Sequence, residues 1–319
     1  MEPRATRLLR QPRLLIVGCG DIGLRVLRLV RTRWRVLAVT SSPQRRALLR
    51  TAGATPLVAD LDDGATLARL ARLADAVLHL APPAADMEYD RRTAALLAAL
   101  ARGGGVRRFV YASTSGVYGD CGGAWVHETR PLNPSTDRAC RRTDAEARVR
   151  AYARTHHVSA TILRVPGIYA FDRDGGDPRE RVRRRAPALV ARDDVFTNHI
   201  HADDLARACA LTLWRGQTMR AIHINDDDSL PMGDHLDRVA DRCALARVPR
   251  LTREQAQERL TPLQMSFLTE SRRLDNTRMK RELKLALRYP TIDAALASLP
   301  QAGPAGAGRP DSATRPASA

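Results

Sequence analysis

The stretch Leu14-Leu15-Ile16-Val17-Gly18-Cys19-Gly20-Asp21-Ile22-Gly23 decides the fold. Its first four residues are a short apolar run, which reads as a strand buried on both faces. Gly18, Gly20 and Gly23 follow in the spacing G-x-G-x-x-G, and the segment from Asp21 onward has a helical pattern. Backbone N–H groups and the helix dipole favour an anion at such a turn, and this spacing is that of a turn cradling a dinucleotide pyrophosphate. A tight strand-to-helix turn without a ligand would use the same glycines. With strand, glycines and helix all in register, the dinucleotide is the better reading, and it makes Gly18, Gly20, Asp21, Ile22 and Gly23 candidate cofactor contacts.

Outward from this turn, short apolar runs alternate with helical segments. The runs lie at 14–17, 35–40, 56–61, 76–81, 107–113 and 159–165, with LARLARLA (67–74) and RRTAALLAALA (91–101) among the helical stretches between them. Strand and helix alternating at this spacing predict βαβ units with right-handed crossovers. The fold class is therefore α/β, a Rossmann-type doubly wound parallel sheet with a smaller C-terminal substrate lobe. The regularity fades after Val165. An Arg- and Gly-rich loop (171–187), VFTNHIHADDLARACALTLW (195–214), AIHIN (221–225) and mostly helical signals to about 299 follow. The expected division is a dinucleotide domain of 13–165 plus about 195–228, and a substrate lobe of about 166–194 and 229–299. Residues 1–12 and 300–319 read as disordered tails. In the lobe, Asp203 reads as a helix N-cap and RERVRRRAP (179–187) as a solvated face or, alternatively, as an anion contact.

The end of the second run bears on cofactor choice. NAD sites place Asp or Glu there to hold the ribose 2′-hydroxyl. Here Thr40-Ser41-Ser42 is followed by Arg45 and Arg46. With hydroxyls and arginines and no carboxylate, NADP is the expected cofactor, NAD remaining open. Ser42 also suits the N-cap of a helix beginning at Pro43.

The chain has 319 residues and a formal net charge of +17. Such a charge often signals nucleic acid or an anionic membrane. Lysine occurs only at Lys280 and Lys284, however, so almost all of the excess is arginine, as in a GC-rich coding sequence. Aromatics are 4% and do not interleave with the arginines, so no stacking platform for single strands is present. Five scattered cysteines without a CxxC pair give neither a disulfide framework nor a metal site. The apolar run near the N-terminus is too short for a membrane span. The expectations are a cytoplasmic protein with an anionic small-molecule substrate and no nucleic acid, membrane or metal; a homodimer is left open.

Several motifs taken together resemble the extended short-chain dehydrogenase/reductase family, which includes nucleotide-sugar epimerases and dehydratases. They are VGCGDIG (17–23), VADLDD (58–63), HLAPP (79–83), STSGVYGD (113–120) and LRVPGIYA (163–170). With NHIHADDLARA (198–208) and ESRRLDN (270–276), the chain is most similar to the atypical, YeeZ-like subgroup. The resemblance spans about 14–299. It implies that Asp60 meets the adenine and that Ala81 and Pro82 line the cofactor cleft; Leu61, beside Asp60, and Thr40 and Ser41, from the end of the second run, are further candidate cofactor contacts. It further implies that Thr114 stands at the catalytic Ser/Thr position, Asp90 near a supporting Asn, Tyr118 in the VYG motif and Tyr169 on the substrate side.

One departure is serious. The family's proton donor is the Tyr of a Tyr-x-x-x-Lys helix, with a Glu four residues after the Lys. Alignment on Glu146 puts Arg142 at the Lys and Arg138 at the Tyr. Arginine stays protonated and makes a poor proton shuttle. A positioned acid/base is worth about 10²–10⁴ in rate, and nothing adjacent replaces it. Tyr118, Tyr169, His127, His199 and His201 are substitutes in principle, although lone residues of these types more often pack or cap. The expected function is an NAD(P)-binding epimerase or oxidoreductase on an anionic, nucleotide-sugar-like substrate. The alternative is a non-catalytic NADP(H) sensor.

Overall fold

The computed structural model describes residues 11–86 and 88–299. Apart from Gln11 and Pro12, the expected tails lie outside the described residues. Seven strands form one sheet: β1 (Arg13–Val17), β2 (Arg35–Thr40), β3 (Thr55–Val58), β4 (Ala76–His79), β5 (Arg108–Thr114), β6 (Ser159–Val165) and β7 (Arg220–His223). Their order is 7-6-5-4-1-2-3 and every pair is parallel. The chain reverses direction across the sheet between β1 and β4, and such a switch point opens a crevice at the carboxyl ends of the strands.

The period-2 geometry of a strand splits β1 between two cores. Leu14 and Ile16 face a core built with Val26, Leu27 and Val30 of α1 (Asp21–Val30) and with Leu205, Cys209 and Leu213 beyond it. Leu15 and Val17 face the other, packed by Leu96 and Leu100 of α2 (Arg91–Gly103) and Val149 and Tyr152 of α3 (Asp137–His156). Burial on both sides is why the strand reads as an unbroken apolar run. Two more helices matter to the site: α4 (Ala202–Arg215) and α5 (Met232–Arg242).

α3 starts where its sequence directs. The Thr136 hydroxyl accepts from the Ala139 N–H at 3.2 Å, Asp137 occupies the first turn, and Arg154 and His156 occupy the last. Three expectations need correction. LARLARLA is no continuous helix: a turn at Gly64–Leu67 passes into a 3₁₀ turn at Ala68–Leu70, and Arg72 takes φ 60°. The backbone there is tied to the end of α2, since a Cβ on Gly103 would lie 2.8 Å from Ala71 Cα, and Arg72 Nε donates to Gly103 O at 3.1 Å. Asp203 is not the cap of α4; the His201 ring is, with Nδ1 accepting from the Asp203 N–H. Ser42 does precede the turn at Pro43, but its hydroxyl makes no cap bond and donates to Gln44 instead.

The C-terminal lobe has its own core of Tyr169, Val182, Leu189, Leu236 and Ile292. The stretch 229–299 is not wholly in the lobe: its last part, with Ile292 and Leu296, is there, but a segment before it is not. Met279, Leu283 and Leu285 return to the sheet and join the α1/α4 core. No described helix is long and apolar enough to cross a membrane.

Candidate active site

A cleft of about 990 Å³ opens at the carboxyl ends of the strands and runs from the glycine turn to the lobe. Gly18 has φ +83°, and a Cβ there would lie 2.5 Å from Ala81 N, so only glycine fits. Gly20 is different: a Cβ there meets nothing within 4 Å, so the backbone beside it faces open space. A Cβ on Gly23 would stand 3.1 Å from Cys19 Sγ, the close contact that seats α1 on the sheet. No side chain caps the start of α1, which leaves its first N–H groups directed to the cleft. A dinucleotide pyrophosphate fits this cradle.

Among the other expected cofactor contacts, Asp21, Ile22, Thr40, Ser41, Arg45, Asp60, Leu61, Ala81 and Pro82 all line the cleft. Arg45 reaches back across the turn, donating to Cys19 O at 2.9 Å, and Arg46 stays exposed outside it. Asp21 enters an ion network that sequence reading missed. Arg25 pairs with Asp21 (3.0 Å), Asp172 (2.6 Å) and Asp203 (2.6 Å), and Arg173 joins Asp21 at 3.2 Å. Burial opposes the charge of Arg25, but its three carboxylates prevail and raise its pKa. The network pins the 172–173 loop against the glycine turn.

Thr114, Arg138 and Arg142 line the same cleft. Thr114 Oγ1 accepts from the Gly116 N–H at 3.3 Å, as cap of the turn Ser115–Tyr118. Arg142 Nη1 donates to Tyr111 OH (3.0 Å) and Ala112 O (2.8 Å), fixing the guanidinium against β5. Arg138 is exposed and lies 5.3 Å over the Phe267 ring, with no hydrogen bond or ion pair to a described residue. Glu146 makes a bidentate pair with Arg164, at 3.1 and 2.7 Å, both buried.

Asp90 and Tyr118, two expected catalytic residues, are outside the cleft. Asp90 caps α2, accepting from the Thr93 N–H (3.0 Å) and hydroxyl (2.6 Å). Tyr118 is buried between His223 Nε2 (2.6 Å) and Arg164 Nη1 (2.5 Å), and burial pushes its pKa up to about 12. Both positions are inside the fold because a polar group there completes a buried hydrogen-bond set. Of the other substitutes considered, only His199 reaches the cleft; His127, His201 and Tyr169 do not. Burial and the nearby Arg181 push His199 down to about 4. At the glycine turn, burial raises Cys19 to about 11 against the influence of Arg45.

Asn198, Arg173, Arg181, Arg272 and Phe267 also form the substrate end. Asn198 ties it together, its amide donating to Arg272 O at 2.9 Å and its oxygen accepting from the Leu274 N–H at 2.8 Å. The signals for Arg181 and Arg272 were the RERVRRRAP and ESRRLDN stretches, which carry no spacing that says which side faces inward.

The model of the NAD dependent epimerase/dehydratase family matches residues 14–225. The chain belongs to this family. Its match covers the sheet and its glycine turn, and does not separate the YeeZ-like subgroup from the rest. No curated protein matches. A structure of a functionally unknown conserved protein from Silicibacter pomeroyi is 28% identical and has a TM-score of 0.76, covering 90% of this chain and 97% of that one. A dTDP-glucose 4,6-dehydratase from Streptomyces venezuelae, solved with NAD bound, is 22% identical with a TM-score of 0.72, covering 89% and 94%. A UDP-glucose 4-epimerase from Thermotoga maritima, with UDP-glucose, is 19% identical with a TM-score of 0.71, covering 89% and 96%. These two likenesses show the fold.

Proposed function

We propose that this family member holds NADP(H) in the cleft and acts as an epimerase or oxidoreductase on a small anionic, nucleotide-sugar-like molecule. In this reading Arg138 grips an anion of the substrate and transfers no proton. The observation that carries it is the lining of one cleft by the Gly18–Gly23 turn, Thr114, Arg142 and Arg138 together. A nicotinamide dinucleotide, when bound, supplies hydride exchange. Arg142 has N–H groups beyond the Nη1 atom held by Tyr111 and Ala112, and these suit the nicotinamide ribose. The Thr114 hydroxyl suits a substrate oxygen. The end of β2 offers Thr40, Ser41 and Arg45 without a carboxylate, which supports the 2′-phosphate of NADP; the dehydratase above was solved with NAD. Five free cysteines agree with a reducing, cytoplasmic setting.

A second reading rests on the protonation states. His199 lies near 4, Cys19 near 11 and Tyr111, behind Arg142, near 12, so none of these groups is poised for proton exchange at neutral pH. That favours a non-catalytic NADP(H)-binding protein. One experiment separates the two. Purified protein is titrated with NADPH and NADH by fluorescence, then followed by nicotinamide absorbance against pools of carbonyl compounds and nucleotide sugars. Binding with turnover supports the enzyme, binding without turnover supports the holder, and failure to bind either cofactor overturns both.

A further inference from the structure

Seven arginines and three carboxylates line the cleft among the described residues. Most of the guanidiniums are already used within the protein. Arg45 bonds Cys19 O, Arg92 pairs with Asp62, Arg142 bonds Tyr111 and Ala112, Arg173 pairs with Asp21, and Arg272 pairs with Glu270. Two are different. Arg138 stands exposed over Phe267, and Arg181 has no hydrogen bond or ion pair with any described residue although it is largely withdrawn from water.

The surroundings of Arg181 leave it unanswered. It projects from the short helix Pro178–Arg183, and both the N-cap Asp177 and the helix's Glu180 are engaged elsewhere, with Arg179 and Arg183. Asp194, whose charge acts on Arg181, accepts from the Gly233 and Val195 N–H groups (2.8 Å each) and lies 3.6 Å from Arg250. Near Arg181 the rings of His199 and His235 stack, with centroids 4.0 Å apart and planes inclined by 21°. His235 is buried and its Nδ1 has no partner. Burial keeps both rings neutral, and Arg181 adds to the effect, so each can donate one N–H without adding charge. An unpaired guanidinium in such a place is unfavourable until an anion reaches it.

We infer that Arg181, with His199 beside it, is the binding site for an oxyanion of the substrate, a carboxylate or a phosphate, separate from the anion held at Arg138. A guanidinium presents paired N–H donors that match either group. The substrate would then be a small molecule with two negative groups, one for each of these two guanidiniums. This inference rests on the proposal that the cleft takes an anionic small molecule.

The test uses the full chain saturated with NADPH, titrated with inorganic phosphate in one arm and acetate in the other. Thermal midpoints and the imidazole ¹⁵N resonances of His199 and His235 are followed. Expected is saturable protection with a His199 shift in at least one arm, which identifies the favoured oxyanion. Arg181→Leu should weaken that affinity about ten-fold or more, Arg181→Lys should weaken it less, and neither should move NADPH affinity. Unchanged NADPH binding also shows that the variants are folded. If neither anion binds the wild type, or if Arg181→Leu binds as tightly as the wild type, the inference is overturned. If Arg138→Ala alone weakens the anion, the Arg181 site falls while the proposed function stands. If NADPH itself fails to bind, the proposed function falls instead.

Discussion

The glycine-turn half of the cleft engages its arginines within the protein, whereas the outer half leaves two of its arginines without a hydrogen bond or ion pair to a described residue. Around the glycine turn the guanidiniums have protein partners: Arg45 at Cys19 O, Arg142 at Ala112 O and Arg25 at carboxylates, with Arg173 reaching from the substrate end to Asp21. At the outer half Arg272 is paired with Glu270, but Arg138, over the Phe267 ring, and Arg181 have no hydrogen bond or ion pair with a described residue. A paired guanidinium shapes the cleft, whereas an unpaired one awaits a ligand. The contrast separates scaffold from recognition in a chain so rich in arginine that composition alone cannot.

The largest expected effect sets a paired buried arginine against an unpaired one. Arg164 and Glu146 form a bidentate pair with side chains 4% and 2% exposed. Arg164→Leu strands the Glu146 charge and should cost about 3–5 kcal/mol in urea unfolding. Arg181→Leu should leave the midpoint unchanged or raise it. Equal losses for the two would erase the distinction.

Next come the glycines. Gly18→Ala should both destabilise the fold, by about 1–3 kcal/mol from backbone strain, and abolish NADPH binding. Gly20→Ala has open space and should keep wild-type stability while still weakening NADPH. Calorimetry with parallel cofactor titration checks the pair; loss of stability at Gly20 would mean that the space serves the fold and not a ligand.

Arg45 sharpens the cofactor half further. Arg45→Ala should weaken NADPH by about 1.5–3 kcal/mol, the worth of charged hydrogen bonds, with little change for NADH. Equal losses for both cofactors would restrict Arg45 to its bond with Cys19 O.

The smallest effect is on pH dependence. His79 is buried against Thr93, and burial, aided by Arg142, pushes its pKa down to about 3. Its folded pKa is below the unfolded value of about 6.5, so the unfolded chain binds the extra proton as pH falls. Its contribution is whole above about pH 6.5 and is lost progressively toward about pH 3. Wild type should therefore lose more stability between neutral and mildly acidic pH than His79→Gln does. Parallel curves for the two proteins would contradict the depressed pKa.

Much of the cofactor half was legible in the sequence because backbone demands are local. A strand, three glycines and a helix occupy the consecutive residues Arg13–Val30, and Gly18 needs its positive φ whatever lies further away. The outer half was less legible because its partners come from distant segments. Nothing in RERVRRRAP says that Arg181 faces inward while Arg183 pairs with Glu180 at the surface, since the strand and helix that frame it belong to residues 199–242. Asp90 and Tyr118 show the same limit: family position suggested chemistry, but three-dimensional burial gave them to Thr93 and to Arg164 with His223.

Arg138 and Arg142, one helical turn apart, line the cleft at the positions to which the resemblance assigns a Tyr and a Lys. The most direct measurement is equilibrium titration of NADPH into wild type, Arg142→Ala and Arg138→Ala under one set of conditions. Wild type should bind, Arg142→Ala should bind about ten-fold or more weakly, and Arg138→Ala should match wild type if, as proposed, its guanidinium serves the substrate. If Arg138→Ala loses NADPH as Arg142→Ala does, or if neither variant differs from wild type, the division of the cleft into a cofactor half and a substrate half is wrong.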